Sequence, residues 1–288
     1  MPSTSAASRR PAHLPLAATP DLAAYDTIIV NSSAGKDSQA ALDVVAHAAD
    51  RARVMDRVIV LHADLGDLEW PGVPQLAATQ ADHYGLPLFV RRREQNGLLD
   101  LIRGRGRWPS SLARYCTSAM KRQPARRFMT EHVRHLGLDR PARILNVLGL
   151  RAEESPHRAQ QLALTPDHGA SNLTRRHVDT WLPVHTLTTD QIWQNIHSSG
   201  VPHHSAYDHG TRRLSCSICP LAARADIVRA CQLRPDLART YLQLEDTLGV
   251  PLRPRLSVRD AYAEAAATAA PGDPISGGRQ LPAGRWSW

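Results

Sequence analysis

The chain has 288 residues, enough for one large domain or two small ones, and 42% of them are hydrophobic, which is sufficient for a packed core. No apolar run approaches the length that spans a bilayer, and the first 15 residues lack the apolar segment of a secretory signal, so we expect a cytoplasmic protein with no membrane partner. The formal net charge of +8 fits either a nucleic-acid or nucleotide ligand or a solvated surface.

Apolar runs typical of buried parallel strands alternate with helical patterns along the first half of the chain. This alternation predicts an α/β fold, a Rossmann-like, mostly parallel sheet flanked by helices, with a smaller helical and loop-rich C-terminal part. The predicted strands are 27–31, 57–66, 86–92 and 143–150, and the predicted helices begin at Ser38, run from Pro71 to His83 and cover 118–136.

The rest of the chain is polar and weakly periodic over 155–180. A capping box from Thr188 to Gln191 then predicts a short helix closed near Gly200, and 222–248 is again helical in pattern. We predict four parts, namely a disordered tail, an α/β core, a C-terminal part and a loose tail, over 1–22, 23–180, 181–267 and 268–288.

The stretch VNSSAGKDSQA, residues 30–40, connects the first predicted strand to the first predicted helix. The small residues Ser33, Ala34 and Gly35 let backbone amides approach a phosphate, and the start of the helix favours an anion. Lys36 adds a mobile positive charge. The stretch therefore predicts a phosphate site, although an ordinary strand–turn–helix junction has the same outline.

This stretch is not a Walker A loop. Val30 stands where that loop has its first glycine, and Asp37 follows the Gly-Lys pair where the loop has Ser or Thr. Asp37 fits beside a phosphate if it holds a cation or orients the loop.

Lysine usage supports the importance of Lys36. Of the 35 basic residues only two are lysines, Lys36 and Lys121. Arginine would serve most surface roles equally well, so these two positions point to a need for a compact ammonium.

The loop resembles the PP-loop of the ATP pyrophosphatase superfamily, whose usual form is SGGxDS. Ala34 departs from that form, since glycine is usual there and the methyl group narrows the room for phosphate. The resemblance implies binding of ATP or an adenylyl sulfate, Mg²⁺ near Asp37, and cleavage or activation at the α-phosphate. The matching residues are Ser33, Gly35, Lys36, Asp37 and Ser38.

Three further segments resemble the phosphoadenylyl-sulfate reductase-like group of that superfamily: LHADLGDLEWP (61–71), RYCTSAMKRQP (114–124) and LGLRAEESPHRA (148–159). Taken alone, the last is also a charged helix face with local ion pairs. The resemblance implies that the nucleotide is bound by the loop together with Asp64, Gly66, Arg114 and Arg158, and that catalysis depends on Lys36, Asp37, Lys121 and Arg151.

Cys216 and Cys219 are separated by two residues, a spacing that lets both thiolates reach one metal or cluster. Residues 181–220, which contain this pair, also resemble the reductase-like group, and the resemblance implies that Cys116 lies close to the pair. Similar cluster-bearing reductases have a Cys-Cys pair where this chain has Tyr115-Cys116, so one ligand is missing. The resemblance to some sulfur-transfer enzymes implies that Cys231 supplies it, and a buried core thiol is the alternative for Cys231. Four cysteines match a [4Fe-4S] cluster, with zinc as the second possibility.

Three functions remain open at this point. The first is a PP-loop enzyme that activates at the α-phosphate for sulfur transfer, with a sulfur-donor protein and a DNA, tRNA or small-metabolite acceptor. The second is a nucleic-acid-binding accessory module with structural zinc and a degenerate loop. The third is a sulfonucleotide reductase, which is disfavoured because no cysteine follows Cys231 to attack sulfur. The sequence leaves the oligomeric state open.

Overall fold

The computed structural model describes residues 15–277, and its internal contacts group them into two compact units. The first unit comprises 15–64, 72–92 and 122–204, and the second comprises 65–71, 93–121 and 205–277. The predicted tails fall in large part outside the described residues, and the predicted domain boundaries stay a prediction.

The first unit is built on one six-stranded sheet with the order β3-β2-β1-β4-β6-β5, in which only the edge strand β5 is antiparallel. This confirms the predicted α/β class. The strands are β1 Thr27–Ser32, β2 Val58–Asp64, β3 Leu88–Arg92, β4 Ala142–Leu148, β5 Leu164–Pro166 and β6 Arg176–Trp181.

Helices separate most of these strands and make up much of the second unit. They are α1 Lys36–Ala52, α2 Val73–His83, α3 Leu98–Arg105, α4 Tyr115–Thr117, α5 Gln123–Leu136, α6 Pro156–Ala159, α7 Thr189–Ser199, α8 Arg224–Leu233, α9 Pro235–Leu248, α10 Val258–Ala267 and α11 Pro274–Gly277. A π-helical turn, Ser118–Arg122, joins α4 to α5. No helix within residues 15–277 has the length and apolar character needed to cross a bilayer.

β1 is the central strand of the sheet and is buried on both faces. Ile28 and Val30 point to a cluster shared with α1 and α7, and Ile29 points to a second cluster that includes Phe128 and Met129 of α5. Each of these side chains contributes roughly 1.5–3 kcal/mol when fully buried. The strand is therefore held firmly, and the loop that follows it starts from a fixed position.

The pairing of β1 on both sides aligns the strand ends. Val30 is in register with Val60 of β2 and with Val147 of β4. All three strands are parallel, so their carboxyl ends meet at the same edge of the sheet.

The strands β5 and β6 lie in the region that showed no clear periodicity in the sequence. β6 is largely buried at its ends, at Arg176 and Trp181, but its sequence RHVDTW is mostly polar. Arg176 is satisfied locally, since its Nε–H donates to the carbonyl of Ala170 at 2.7 Å. A buried strand whose polar side chains are hydrogen-bonded within the protein lacks the apolar pattern by which strands are predicted from sequence.

The second unit is mostly helical. Trp108 stacks on Tyr241 of α9 with 5.6 Å between ring centroids, and its indole N–H donates to the carbonyl of Val250. The buried carboxylate of Glu245 accepts the N–H groups of Leu252 and Val258, at 2.7 and 2.8 Å, and so fixes the entry to α10.

Candidate active site

The first unit has a topological switch point between β1 and β4. From β1 the chain moves outward through β2 and β3 on one side, and from β4 it continues to β6 on the other. In open α/β sheets, ligands bind outside the carboxyl ends of the strands at such a point. The loop 33–35 and the segment 149–151 lie there, because they directly follow these two strands.

Hydroxyl groups hold the loop after β1 in shape. The Ser33 N–H donates to the Ser38 hydroxyl at 3.1 Å, and that hydroxyl donates to the carbonyl of Gly35 at 2.9 Å. The Ala34 N–H donates to the Ser32 hydroxyl at 3.1 Å. The loop is thus preformed, and the amides of Ser33 and Ala34 are engaged within it.

Helix α1 begins directly after this loop. Its first intrahelical bond runs from the Gln39 N–H to the Gly35 carbonyl, at 2.9 Å, and Gly35 has no side chain that could cap the helix. The amides of residues 36–38 therefore precede the ladder of helical bonds, which is the arrangement that favours an anion.

Ala34 adopts a left-handed conformation, with φ of 53°, and is fully buried. Residues with a β-carbon reach this region at a cost of roughly 1–2 kcal/mol. The position is thus one at which glycine would be free of strain, and the chain carries alanine instead.

Gly149 follows β4 and touches the first turn of α1. A β-carbon at this position would lie 2.5 Å from the carbonyl oxygen of Asp37 and 2.6 Å from the nitrogen of Ser38. Both are backbone atoms, so they cannot swing aside. Gly149 is required because of space rather than because of its φ angle.

Asp37 lies between two cations. One carboxylate oxygen accepts from the Lys36 ammonium at 2.9 Å, and the other accepts from Nε of Arg151 at 2.6 Å. Lys36 and Arg151 are 4% and 3% exposed, so the pairs are shielded from solvent. Burial works against the charge of Arg151, but Asp37 and Glu153 outweigh it and raise the pKa of this arginine.

The remaining contacts of Arg151 fix the segment after β4. Its guanidinium also donates to Glu153, to the carbonyl of Leu187 and to the hydroxyl of Thr189. The Arg151 hydrogen bond, together with those from Thr189, lowers the pKa of Glu153. Glu153 and Thr189 were not predicted from the sequence, because nothing in the local pattern links them to Arg151.

Arg158 is bound by Glu154, four residues before it. The predicted cations of the first unit, Lys36, Arg151 and Arg158, therefore each have a carboxylate partner among the described residues. A phosphate ligand would have to share or replace these partners.

Asp64 ends β2, and Arg92 of β3 lies 3.9 Å from its carboxylate. Gly66 belongs to the second unit, where it opens a 3-10 turn, Gly66–Leu68, with a left-handed φ of 63°. The two predicted nucleotide contacts of this segment are thus divided between the units.

Arg114 and Lys121, seven residues apart, lie on either side of an irregular turn. The turn Ser118–Arg122 is π-helical, so this separation does not equal two α-helical turns. Burial raises the pKa of Cys216, and the charge of Lys121 opposes that rise. The predicted roles of Arg114 and Lys121 stay predictions.

Three of the predicted cysteine ligands, Cys116, Cys216 and Cys219, belong to the second unit. Burial raises the pKa of Cys216 to about 12, and Cys219 and Cys116 act in the same direction. The buried phenol of Tyr241 is influenced by the same three cysteines.

Cys231 is fully buried in α8, and burial alone raises its pKa to about 12. The predicted role of Cys231 as a ligand, like those of Cys116, Cys216 and Cys219, stays a prediction.

Cys116, Cys216 and Cys219 are of the residue type that binds a metal or cluster through thiolates. Within residues 15–277, however, no three His, Cys, Asp or Glu side chains converge as closely as bound metal ligands do. The loop that carries the pair is firmly placed, because the Ser217 N–H donates to the Leu68 carbonyl at 2.8 Å.

The segment before Cys116 is basic and ordered. The Arg105 guanidinium lies 4.7 Å from the ring centroid of Tyr115, and the Tyr115 hydroxyl donates to the carbonyl of Arg107. Burial raises the pKa of Tyr115 to about 12, and Arg105 and Arg107 both oppose this rise, which places their charges near the phenol.

A cavity of about 280 Å³ opens in the first unit beside the segment after β4. Five apolar and five polar side chains line it, namely Leu148, Leu150, Leu162, Pro166 and Leu182, and Gln161, Thr165, Asp167, His168 and Thr180.

The fold and the preformed loop define a nucleotide-binding α/β protein. Residues 27–222 match the model of the phosphoadenosine phosphosulfate reductase domain, so the chain belongs to that family. The match covers all six strands and the Cys216–Cys219 pair.

Two curated relatives have no assigned function. An uncharacterized 37.8 kDa protein of Escherichia phage 186 is 26% identical over 147 residues, which are 51% of this chain and 42% of that protein. An uncharacterized protein of Methanocaldococcus jannaschii is 24% identical over 205 residues, which are 68% of this chain and 44% of that protein. The chain thus spans less than half the length of either relative.

Two solved structures are also similar. The phosphoadenylyl-sulfate reductase from Candida auris, in a phosphate complex, has a TM-score of 0.46 at 16% identity and aligns over 68% of this chain and 83% of its own. The U34-tRNA thiolase from Methanococcus maripaludis, with its [4Fe-4S] cluster, has a TM-score of 0.39 at 12% identity and aligns over 88% and 78%.

Gly149→Ala is expected to lower the free energy of unfolding by at least about 2 kcal/mol and to weaken nucleotide binding, because the methyl group overlaps the backbone of α1. Chemical denaturation and calorimetry with ATP measure the two effects. The control is Gly104→Ala in α3, where no atom lies within 4 Å of the added carbon and stability should stay the same or rise by up to about 1 kcal/mol. Equal behaviour of the two variants would contradict the close approach.

Ala34→Gly is expected to change stability by less than about 1 kcal/mol, because relief of backbone strain offsets the loss of a buried methyl group. Ala34→Val should lose about 2 kcal/mol or more, since a β-branched residue is poorly accommodated at positive φ. Thermal denaturation compares the two. A valine variant as stable as the glycine variant would show that residue 34 is not left-handed in solution.

Proposed function

We propose that the protein is a PP-loop enzyme that binds ATP, cleaves it between the α- and β-phosphates and adenylylates an acceptor for sulfur transfer. The observation that carries this proposal is the preformed loop 33–38 at the switch point between β1 and β4, where Asp37 holds Lys36 and Arg151 together. An adenylyl sulfate is the alternative occupant of the same loop.

The charges of the site support a nucleotide triphosphate. Lys36, Arg151 and Arg158 are balanced by carboxylates in the ligand-free protein, and the phosphates would take over part of that role. Mg²⁺, the usual companion of nucleotide phosphates, would be bound near Asp37. The amides at the start of α1 and the released ammonium of Lys36 would then stabilise charge that develops on the departing pyrophosphate.

The proposed reaction has a simple balance. An oxygen of the acceptor attacks the α-phosphorus, the bond from this phosphorus to the bridging oxygen of the β-phosphate breaks, and pyrophosphate leaves with the electron pair while the acceptor loses its proton to solvent. Hydrosulfide delivered by the donor protein then attacks the activated atom of the acceptor, the bond from that atom to the adenylyl oxygen breaks, and AMP leaves with the electron pair. The acceptor is a nucleic acid or a small metabolite, and the sulfur donor is a second protein.

In this proposal Cys116, Cys216 and Cys219 would hold an iron–sulfur cluster, and Cys231 is the predicted fourth ligand. A bound cluster would carry or activate sulfur. The chain itself contributes Lys121, whose charge favours the thiolate of Cys216, and the anchored loop around Ser217. A structural zinc ion on the same thiolates is the alternative that belongs to an accessory module rather than an enzyme.

The purified protein is expected to release pyrophosphate from ATP in the presence of acceptor, and Lys36→Ala should reduce this rate about 100-fold or more, because a buried charge next to the phosphates is lost. An enzyme-coupled pyrophosphate assay measures the rate. Arg140→Ala is the matched control, since it removes a charge that pairs with Asp26, just before β1 at the other end of the strand. Release of phosphate without pyrophosphate, or an active Lys36→Ala protein, would count against the proposal.

Anaerobically purified protein is expected to be brown, to absorb near 400 nm and to contain iron and sulfide, and Cys216→Ser should lose them. Cys231→Ala should lose part of the iron and sulfide, because Cys231 is the fourth ligand in this proposal, whereas full retention would assign this buried thiol to the core alone. Elemental and sulfide analysis, with circular dichroism to check folding, decides this. A colourless protein with zinc would support the accessory-module alternative instead.

A further inference from the structure

The segment 93–121 of the second unit concentrates positive charge. It contains six basic residues against two acidic ones, and within residues 15–277 no ion pair involves Arg105, Arg107 or Arg114. The basic residues are Arg93, Arg103, Arg105, Arg107, Arg114 and Lys121, and the acidic ones are Glu94 and Asp100. Arginines without carboxylate partners are available for a ligand.

The fold holds this segment in a fixed shape. Helix α3 ends at Gly106, whose left-handed φ of 62° lets the chain turn. The next anchor is Trp108, which is buried against Tyr241, so that Arg105 and Arg107 stay at the surface on either side of the turn. The hydrogen bond from the Tyr115 hydroxyl to the Arg107 carbonyl closes the segment on itself.

Arg105 and Arg107 are grouped around Tyr115. The Arg105 guanidinium lies over the Tyr115 ring, and the Tyr115 hydroxyl donates to the backbone carbonyl of Arg107. A short turn from Ser110 to Ala113 presents Leu112 beside them in sequence with 98% of its surface exposed. Guanidinium planes stack on nucleic-acid bases, and their N–H groups bind backbone phosphates.

The openness of this surface favours a strand over a free nucleotide. Small ligands are bound in concave pockets that bury most of their surface, whereas Arg105, Arg107 and Leu112 are exposed. A nucleic-acid strand binds such a surface, because it supplies repeated phosphates and bases along its length.

We propose that Arg105, Arg107, Leu112 and Tyr115 form a binding surface for single-stranded nucleic acid, with phosphates on the two arginines and a base against the Arg105 guanidinium. Cys116 follows Tyr115 directly in the chain, so the surface adjoins one of the predicted cluster ligands. The inference rests on the proposed function in one respect, namely that the strand is the acceptor of sulfur.

The test is fluorescence anisotropy of the full chain, without ATP, on labelled 20-nucleotide DNA and RNA single strands and on the corresponding duplex, over a series of salt concentrations. Arg105→Gln/Arg107→Gln should weaken single-strand binding about tenfold or more and reduce the salt dependence by about 1.4 in slope, the value for two phosphate contacts. The thermal midpoint should not change, since both side chains are exposed. A preference for DNA or for RNA names the acceptor and supports the proposal in either case.

The matched control is Arg239→Gln/Arg259→Gln, which removes the same charge from exposed arginines of the same unit that have aspartate partners. It should weaken binding less than about twofold. Equal losses in the two double variants, tighter binding of the duplex, or full displacement of the strand by an acidic polyglutamate peptide would each overturn the proposal, as would a wild-type protein that binds no strand.

The strand-binding test and the pyrophosphate-release test can fail independently of each other. Intact pyrophosphate release with no effect of Arg105→Gln/Arg107→Gln on strand binding overturns this inference and leaves the enzyme proposal in place. Strand binding that depends on these arginines, without any pyrophosphate release, supports the surface and overturns the enzyme proposal.

Discussion

The contact between Gly149 and the first turn of α1 is the constraint on which the candidate site depends. β1 and β4 are neighbouring parallel strands, so the segments that follow them emerge side by side, and only a residue without a side chain lets them touch. This contact places Arg151, two residues further on, where it reaches Asp37 at the start of the helix. The pairing of β1 with β4 thus brings Gly149 to the start of α1, and this approach in turn allows the ion pair between Arg151 and Asp37.

The buried charges explain why the site keeps its shape without a ligand. Burying an unpaired charge costs several kcal/mol, but each cation of the loop region has a carboxylate in contact. Asp37 pairs with two of these cations, since one carboxylate oxygen accepts from Lys36 and the other from Arg151. A negatively charged ligand can bind these cations in place of their carboxylates, so the network is suited to rearrangement around an anion.

Much of the fold and the phosphate loop could be predicted from the sequence, because apolar strands, small loop residues and a rare lysine leave local signals. The helix after Thr188 is a further example, since its capping box and its closing Gly200 are both observed. Strands β5 and β6 could not be predicted, because β6 is stabilised by long-range pairing and by a buried, satisfied arginine rather than by an apolar pattern. The link from Arg151 to Thr189 and the full burial of Cys231 depend on tertiary structure and have no local signal.

Arg234 shows how the second unit fixes its loops while all four cysteines remain free thiols. Its guanidinium donates to the carbonyls of Asp67 and Glu69 and to the hydroxyl of Ser217, and so it joins the turn after β2, the loop of the cysteine pair and the junction of α8 with α9. A disulfide bridge could fasten the same three stretches only by consuming sulfur atoms and only under oxidising conditions. A guanidinium clamp is indifferent to redox potential, so these three stretches stay fastened under oxidising and reducing conditions alike.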